Sequence, residues 1–134
     1  MENKEREVSS RWLNRSIKRA KTVLGDLKQS EDILAKAGAK IEAQKSRLKD
    51  FKSDLELLRE FVADWVRGRY RRVPAQTIFI AFGALIYFLN PFDMVTDFLP
   101  VWGFLDDATL IALAIKGIRN DLEEYKVWKK HSTN

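Results

Sequence analysis

Apolar residues recur every seven positions through the first half of the chain. The main column consists of Leu13, Ala20, Leu27, Leu34, Ile41, Leu48, Leu55 and Val62. A companion column holds Val23, Ala37, Phe51, Leu58 and Trp65, and it is interrupted by Ser16, Ser30 and Gln44. Because this is the a/d pattern of packed helices, it predicts a long amphipathic helical region. The region is expected to fold as an antiparallel hairpin or to form a coiled coil between subunits.

The stretch GDLKQSED, from Gly25 to Asp32, is the predicted break in this region. Glycine is unfavourable inside a helix, and Ser30 followed by two acidic residues is typical of a helix N-terminus. The pattern therefore predicts a shorter helix over 9–28 and a long helix over 31–68.

The second half of the chain is more apolar. Pro74 suits the first turn of a helix, and residues 73–89 carry no charge. A further helix is expected to begin at Asp106 and to become polar towards the end. The chain is thus predicted to contain a charged helical region, 1–72, and an apolar helical hairpin with a polar extension, 73–134. No β-strand is required, so the predicted fold class is all-α.

Charge follows the same division. Residues 1–72 contain 19 basic and 12 acidic residues, whereas residues 73–134 contain 5 and 7. The chain has no cysteine and one histidine, His131, in its polar tail. This composition excludes disulfides and thiolate metal sites and argues against histidine-dependent catalysis. Since phosphate-binding glycine loops and nucleophile elbows are also absent from the sequence, we expect no enzymatic activity.

The segment YFLNPFDMVTDFLPVWGFLDD, residues 87–107, places aspartates and prolines within the apolar half. The residues that make up its motif are Tyr87, Pro91, Asp93, Asp97, Pro100, Gly103, Asp106 and Asp107. This arrangement resembles the YkvA-like family, a bacterial domain of unknown function, over residues 73–118. Thr96 departs from the family pattern, which usually has proline there. The resemblance implies a helical hairpin and often a membrane-associated setting, and it implies no established reaction.

The aspartates of this segment have two interpretations. An aspartate at the start of a helix accepts backbone N–H bonds, so helix capping is the favoured one. The alternative is a divalent cation site formed by Asp93, Asp97, Asp106 and Asp107, since Mg²⁺ and Ca²⁺ prefer oxygen ligands. Their spacing does not fit an EF-hand loop. Apart from this alternative cation, no cofactor is predicted.

The apolar run of residues 73–89 fits either a membrane or a buried core. It lies at the lower limit of the ~20 residues that cross a bilayer, so it could form part of an inserted hairpin. It could equally be the central helix of a soluble bundle. Membrane association is placed slightly ahead because four arginines precede the run, where they would contact anionic lipid. They are Arg67, Arg69, Arg71 and Arg72. Nucleic-acid binding through them ranks low, since no recognised binding module surrounds them.

These observations lead to two functional hypotheses. The leading one is a non-enzymatic membrane-associated scaffold or adaptor, anchored by the hairpin, whose long helix binds a protein partner or self-associates. The rival is a soluble helical-bundle interaction module whose aspartates bind a cation. The N-terminus lacks an apolar signal segment. The predicted location is therefore the cytoplasmic side of a bacterial inner membrane, with a soluble cytoplasmic location as the alternative.

Overall fold

The computed structural model describes residues 2–89 and 111–132, with the side chains of Arg11, of residues 13–89 and of residues 111–131. Every regular element in those ranges is helical, which confirms the all-α class. The helices are α1 (Glu2–Val23), α2 (Leu27–Ala43), α3 (Lys45–Leu48), α4 (Phe51–Val66), α5 (Ala75–Leu89) and α6 (Arg119–Ser132). Residues 111–117 are also helical and meet α6 at a turn.

The break between α1 and α2 lies earlier than predicted. Asp26 is the N-cap of α2, and its carboxylate accepts a 3.1 Å hydrogen bond from the backbone N–H of Gln29. Ser30 instead lies buried within α2 and donates its hydroxyl to the carbonyl of Val23 at 3.1 Å. The boundaries predicted for both helices were therefore wrong, because the aspartate supplies the cap that was assigned to the serine.

The continuous long helix predicted over 31–68 is also wrong. The chain reverses between α2 and α4, where Lys49 adopts φ 53° and ψ −122°, a conformation that residues with side chains rarely adopt. The reversed helices contact each other directly, since the Arg59 guanidinium donates to the carbonyl of Leu34 at 2.6 Å. The structure thus contains an antiparallel hairpin, but it joins α2 to α4 within the predicted long helix; the predicted hairpin of the helices over 9–28 and 31–68 is wrong, because α1 packs mainly on α5. Reversal lets the apolar faces of α2 and α4 share one core instead of remaining exposed.

The heptad columns mostly point into this core. Buried members include Ala20, Val23, Leu34, Ala37, Ile41, Leu55, Leu58 and Val62. Leu27 is an exception at 60 % exposure. Because residues from both halves of the chain form one hydrophobic cluster, the repeat serves packing within the molecule. Pairing between subunits stays a prediction.

Helix α5 occupies the middle of the bundle. It packs against α1, α2 and α4. Residues 81–88 are all buried. At its C-terminal end, the ammonium of Lys40 in α2 donates to the carbonyl of Phe88 at 2.5 Å and lies 4.7 Å from the centroid of that ring. A cation at this end complements the helix dipole and fixes α5 against α2.

Helices α1 and α5 approach each other closely at Gly83. A Cβ atom added there would lie 2.6 Å from Cγ1 of Ile17 and 2.8 Å from its Cα. Four residues further along α1, the Lys21 ammonium lies 5.4 Å from the ring centroid of Phe79, so the two helices run antiparallel. Only glycine permits this backbone separation.

The C-terminal helices close the bundle. Ile111, Ile115, Ile118 and Leu122 are buried in the shared core, and α6 packs against α4. The hydroxyl of Thr77 donates to the carboxylate of Asp121 at 2.6 Å, which ties the start of α5 to α6. Among the described helices, none combines the length and the apolar character needed to cross a membrane.

Candidate functional site

The arginine-rich segment, residues 67–72, folds back over the end of α4. Gly68 has φ 78°, a left-handed conformation that suits glycine at a helix C-terminus. The backbone N–H groups of Arg69 and Tyr70 then donate to the carbonyl of Asp64 at 2.8 and 3.2 Å. This turn places the arginine side chains beside α2, α4 and α6.

Three of the four predicted lipid-contacting arginines contact groups of their own chain. The Arg67 guanidinium donates two hydrogen bonds to Glu31, of 2.9 and 2.8 Å, and these bonds hold the pKa of Glu31 below its usual value. Arg69 lies 3.4 Å from a carboxylate oxygen of Asp64, and Arg71 lies 4.3 Å from the ring centroid of Trp65. All three remain exposed, so a lipid contact stays a prediction, but each also stabilises the turn.

A buried carboxylate, Asp64, lies at the centre of a polar cluster between α4 and α6. Asp64 is 6 % exposed, and its carboxylate accepts a 2.5 Å hydrogen bond from the hydroxyl of Tyr125. The ammonium of Lys129 lies 3.8 Å from the same carboxylate and 3.2 Å from that of Glu60. We call Glu60, Asp64, Arg69, Tyr125 and Lys129 the Asp64 cluster. Because burying an unpaired carboxylate is costly, these partners are what allow Asp64 to lie there.

Four aromatic rings surround this cluster. The ring centroid of Tyr125 lies 5.2 Å from those of Phe61 and Tyr70, in edge contacts. The ring centroid of Tyr70 lies 4.9 Å from that of Trp128. Such arrangements add favourable energy beyond the area that they bury. Burial raises the pKa values of the Tyr70 and Tyr125 phenols. The rings and the Asp64 cluster together fasten α6 to α4 and to the arginine-rich segment.

An open cleft of about 440 Å³ lies beside these rings. It is lined by Tyr70, Arg72, Glu124, Val127, Trp128 and His131. We call it the α6 cleft. It presents aromatic faces flanked by one guanidinium and one carboxylate. Arginine and aromatic side chains are enriched where proteins bind one another, so the α6 cleft is suited to a peptide or protein segment.

Replacing Tyr125 by phenylalanine tests the Asp64 cluster through pH. Burial holds the folded-state pKa of Tyr125 above the ordinary value of 10.0. The contribution of the Tyr125 hydroxyl to the free energy of unfolding is therefore complete below pH 10 and is lost as pH rises further. Above that value the unfolded phenol ionises while the folded phenol does not. The stability of the unaltered chain should then fall more steeply than that of Y125F, by about 1.4 kcal/mol per pH unit. Urea unfolding at a series of alkaline pH values measures both slopes, and equal slopes would contradict the burial of this hydroxyl.

The predicted motif residues fall largely outside the described residues. This applies to Pro91, Asp93, Asp97, Pro100, Gly103, Asp106 and Asp107, so the cation and capping interpretations stay predictions. Tyr87 is described and is 2 % exposed within α5, where its ring fills the core. In the two described ranges, no three His, Cys, Asp or Glu side chains are grouped to hold a metal ion.

The Asp64 cluster was missed by sequence reasoning. One signal for it existed, because Asp64 interrupts the apolar run FVADWV at the end of α4. An acidic residue on an apolar helix face calls for a partner. The partner, Tyr125, lies 61 positions away, and nothing in the spacing indicated it.

The architecture defines a small all-α bundle built around one apolar helix, which is followed along the chain by a segment rich in proline and aspartate. Residues 77–113 match a family described as "Protein of unknown function (DUF1232)". The chain is also 26 % identical over 102 residues to the "Uncharacterized membrane protein YkvA" of Bacillus subtilis (strain 168), covering 76 % of this chain and 96 % of that relative. The two matches confirm the resemblance to the YkvA-like family that the motif predicted. No solved structure matches the chain.

Proposed function

We propose that the chain is a non-enzymatic adaptor that works at a membrane. The observation that carries this proposal is the similarity to a membrane protein along 96 % of that relative's length, which is compatible with membrane association here. The uncharged helix α5 supports it, since α5 is the most apolar described helix and begins directly after the arginine-rich segment. In this proposal the apolar segment that starts with α5 is the anchor.

The packing of α5 sets a condition on such an anchor. In the bundle, α1, α2 and α4 cover α5, so its side chains reach lipid only if a covering helix moves away. Helix α1 is the one that can leave most simply, because it joins the rest of the described bundle through a single connection at residues 24–26. Movement of α1 would expose one face of α5 without unfolding the α2–α4 hairpin.

The adaptor surface in this proposal is the α6 cleft. The sequence predicted that the long helix binds a partner, but most heptad residues of α2 and α4 pack in the molecule's own core. In the cleft, Arg72 is exposed and Trp128 is half-buried, so both can be reached from outside the bundle. Their chemistry suits a protein segment that carries an apolar residue next to a charged one.

A second candidate function is a helical-bundle interaction module that works without an anchor. The observation that favours it is the burial of residues 81–88 of α5, since the bundle already shields these apolar residues from water without lipid. The α6 cleft would be the partner surface in this case also. The two candidates therefore differ in whether the chain is anchored in a membrane, and not in how it binds a partner.

Fractionation of the tagged full chain from bacteria tests the anchor. If the apolar segment is inserted, the chain should stay with the membranes through a high-salt wash and an alkaline wash, and only detergent should release it. Complete release by high salt would contradict the anchor and leave membrane association at the surface. Recovery of the whole chain in the supernatant before any wash would contradict the membrane proposal itself.

A further inference from the structure

Helix α1 carries a row of positive charge that begins four residues after Glu7, the last acidic residue of the helix. From Val8 to Gly25 the chain has five basic residues and no acidic one. They are Arg11, Arg15, Lys18, Arg19 and Lys21, and all five are exposed. At 100° per residue, the first four fall within an arc of about 100° on the helix surface. We call this arc the basic face of α1.

The basic face lies opposite the side of α1 that packs on α5. Ser16, Ala20 and Val23 are buried on that inner side, and Ile17 meets Gly83 there. The helix beneath has no charged residue that could balance the outer row. The basic face is therefore fixed in orientation by the packing of the opposite side, and it points away from the bundle.

Several lysines elsewhere in the chain lie one helical turn from an acidic residue. Lys36 pairs with Asp32 at 3.1 Å, Lys45 with Glu42 at 2.9 Å, and Lys52 with Glu56 at 3.2 Å, each within one or two turns. On α1, by contrast, Arg11, Arg15 and Arg19 follow one another at intervals of four residues. Like charges at that spacing repel and weaken a helix. An arrangement that is unfavourable for the isolated chain becomes favourable against a surface of negative charge.

We infer that the basic face of α1 binds the anionic headgroups of a lipid bilayer. The inference rests on the proposed function, since it names the surface through which the chain meets the membrane. The row extends about 12 Å along the helix axis, so several headgroups of a flat anionic surface can be contacted at once. The basic face binds through charge, and this contact needs no insertion because the apolar side of α1 faces α5 in the bundle. Each basic residue near such a surface strengthens binding about fivefold.

Flotation of the full chain with lipid vesicles tests the inference. The test variant replaces Arg11, Lys18 and Arg19 by glutamine, which keeps helix propensity and removes three charges. The matched control replaces Arg47, Lys116 and Arg119 by glutamine, removing two arginines and one lysine that are also exposed. Vesicles of phosphatidylcholine alone are compared with vesicles that also contain phosphatidylglycerol. Circular dichroism melting confirms that both variants fold.

The expected result is a difference between the two variants on anionic vesicles only. The control should float like the unaltered chain, and the test variant should bind roughly 100-fold more weakly. Raising the salt concentration should weaken vesicle binding by the unaltered chain more than binding by the test variant.

Equal binding by the two variants would overturn the inference while leaving the membrane proposal intact, since the chain would then bind the vesicles through another surface. Tighter binding of the unaltered chain to a DNA duplex than to anionic vesicles would also overturn it. Absence of flotation on anionic vesicles would overturn the inference, and recovery of the whole chain in the supernatant on fractionation would contradict the proposed function as well.

Discussion

Replacement of Asp64 by alanine should lower the free energy of unfolding by about 3 kcal/mol. The substitution removes the carboxylate that accepts the Tyr125 hydroxyl and leaves this buried donor without its partner. It also removes a negative charge that lies 3.4 Å from Arg69 and 3.8 Å from Lys129. These cations are partly exposed and can turn to solvent, which places the effect at the lower end of the range for a broken buried pair. Urea unfolding followed by circular dichroism measures the change.

A matched control for this substitution is Asp32→Ala. Asp32 is exposed and pairs with Lys36 in the next turn, so its loss should cost less than about 0.5 kcal/mol. A double-mutant cycle with Y125F then isolates the contact, and a coupling energy of about 1–3 kcal/mol is expected. Similar small losses for Asp64→Ala and Asp32→Ala would show that the Asp64 cluster does not fasten α6 to α4.

Replacement of Gly83 by alanine should loosen α1 from α5. The new Cβ would lie within 3 Å of Cγ1, Cα and N of Ile17, and two of these are backbone atoms that cannot turn aside. Overpacking of this kind costs about 1–3 kcal/mol, and the better helix propensity of alanine offsets up to about 1 kcal/mol of it. A net loss of about 1–2 kcal/mol is expected, together with faster hydrogen exchange along α1.

Gly117→Ala is the control for this prediction. Gly117 is also helical, but no atom lies within 4 Å of a Cβ built there, so alanine should stabilise the chain by up to about 1 kcal/mol. Equal stabilisation by both substitutions would show that α1 does not approach α5 as closely as described. The fractionation assay adds a second measurement. If α5 is the anchor, Gly83→Ala should increase the fraction that only detergent releases.

Sequence reasoning identified the core better than the path of the chain. The seven-residue spacing placed Leu34, Ile41 and Leu55 in the core correctly, because burial follows helical periodicity whichever partner covers the face. The reversal at Lys49 was missed since neither glycine nor proline occupies it. Tertiary packing of α2 on α4 holds Lys49 in its unfavourable backbone conformation, and the conformational propensity of the local residues does not predict this turn.

The candidate surfaces show the same limit. The arginines of residues 67–72 were visible as a charge cluster, but the partner of Arg67, Glu31, lies 36 positions earlier and becomes adjacent only in the folded bundle. The basic residues of α1 were also visible as a run. Their common outward face became apparent only when Ile17 was placed against Gly83. Charge can be counted from a sequence, whereas its exposure depends on what the opposite face contacts.

The central position of α5 has a consequence for the order of events during synthesis. When a ribosome has released only α1 to α4, the hairpin of α2 and α4 can already form from residues close in sequence. The inner side of α1 then has nothing to cover it, because α5 is made some 60 residues later. Nascent chains with exposed apolar surface are prone to aggregate, so this interval is the vulnerable stage of folding. This vulnerable stage ends when α5 emerges, because α1, α2 and α4 then pack against it.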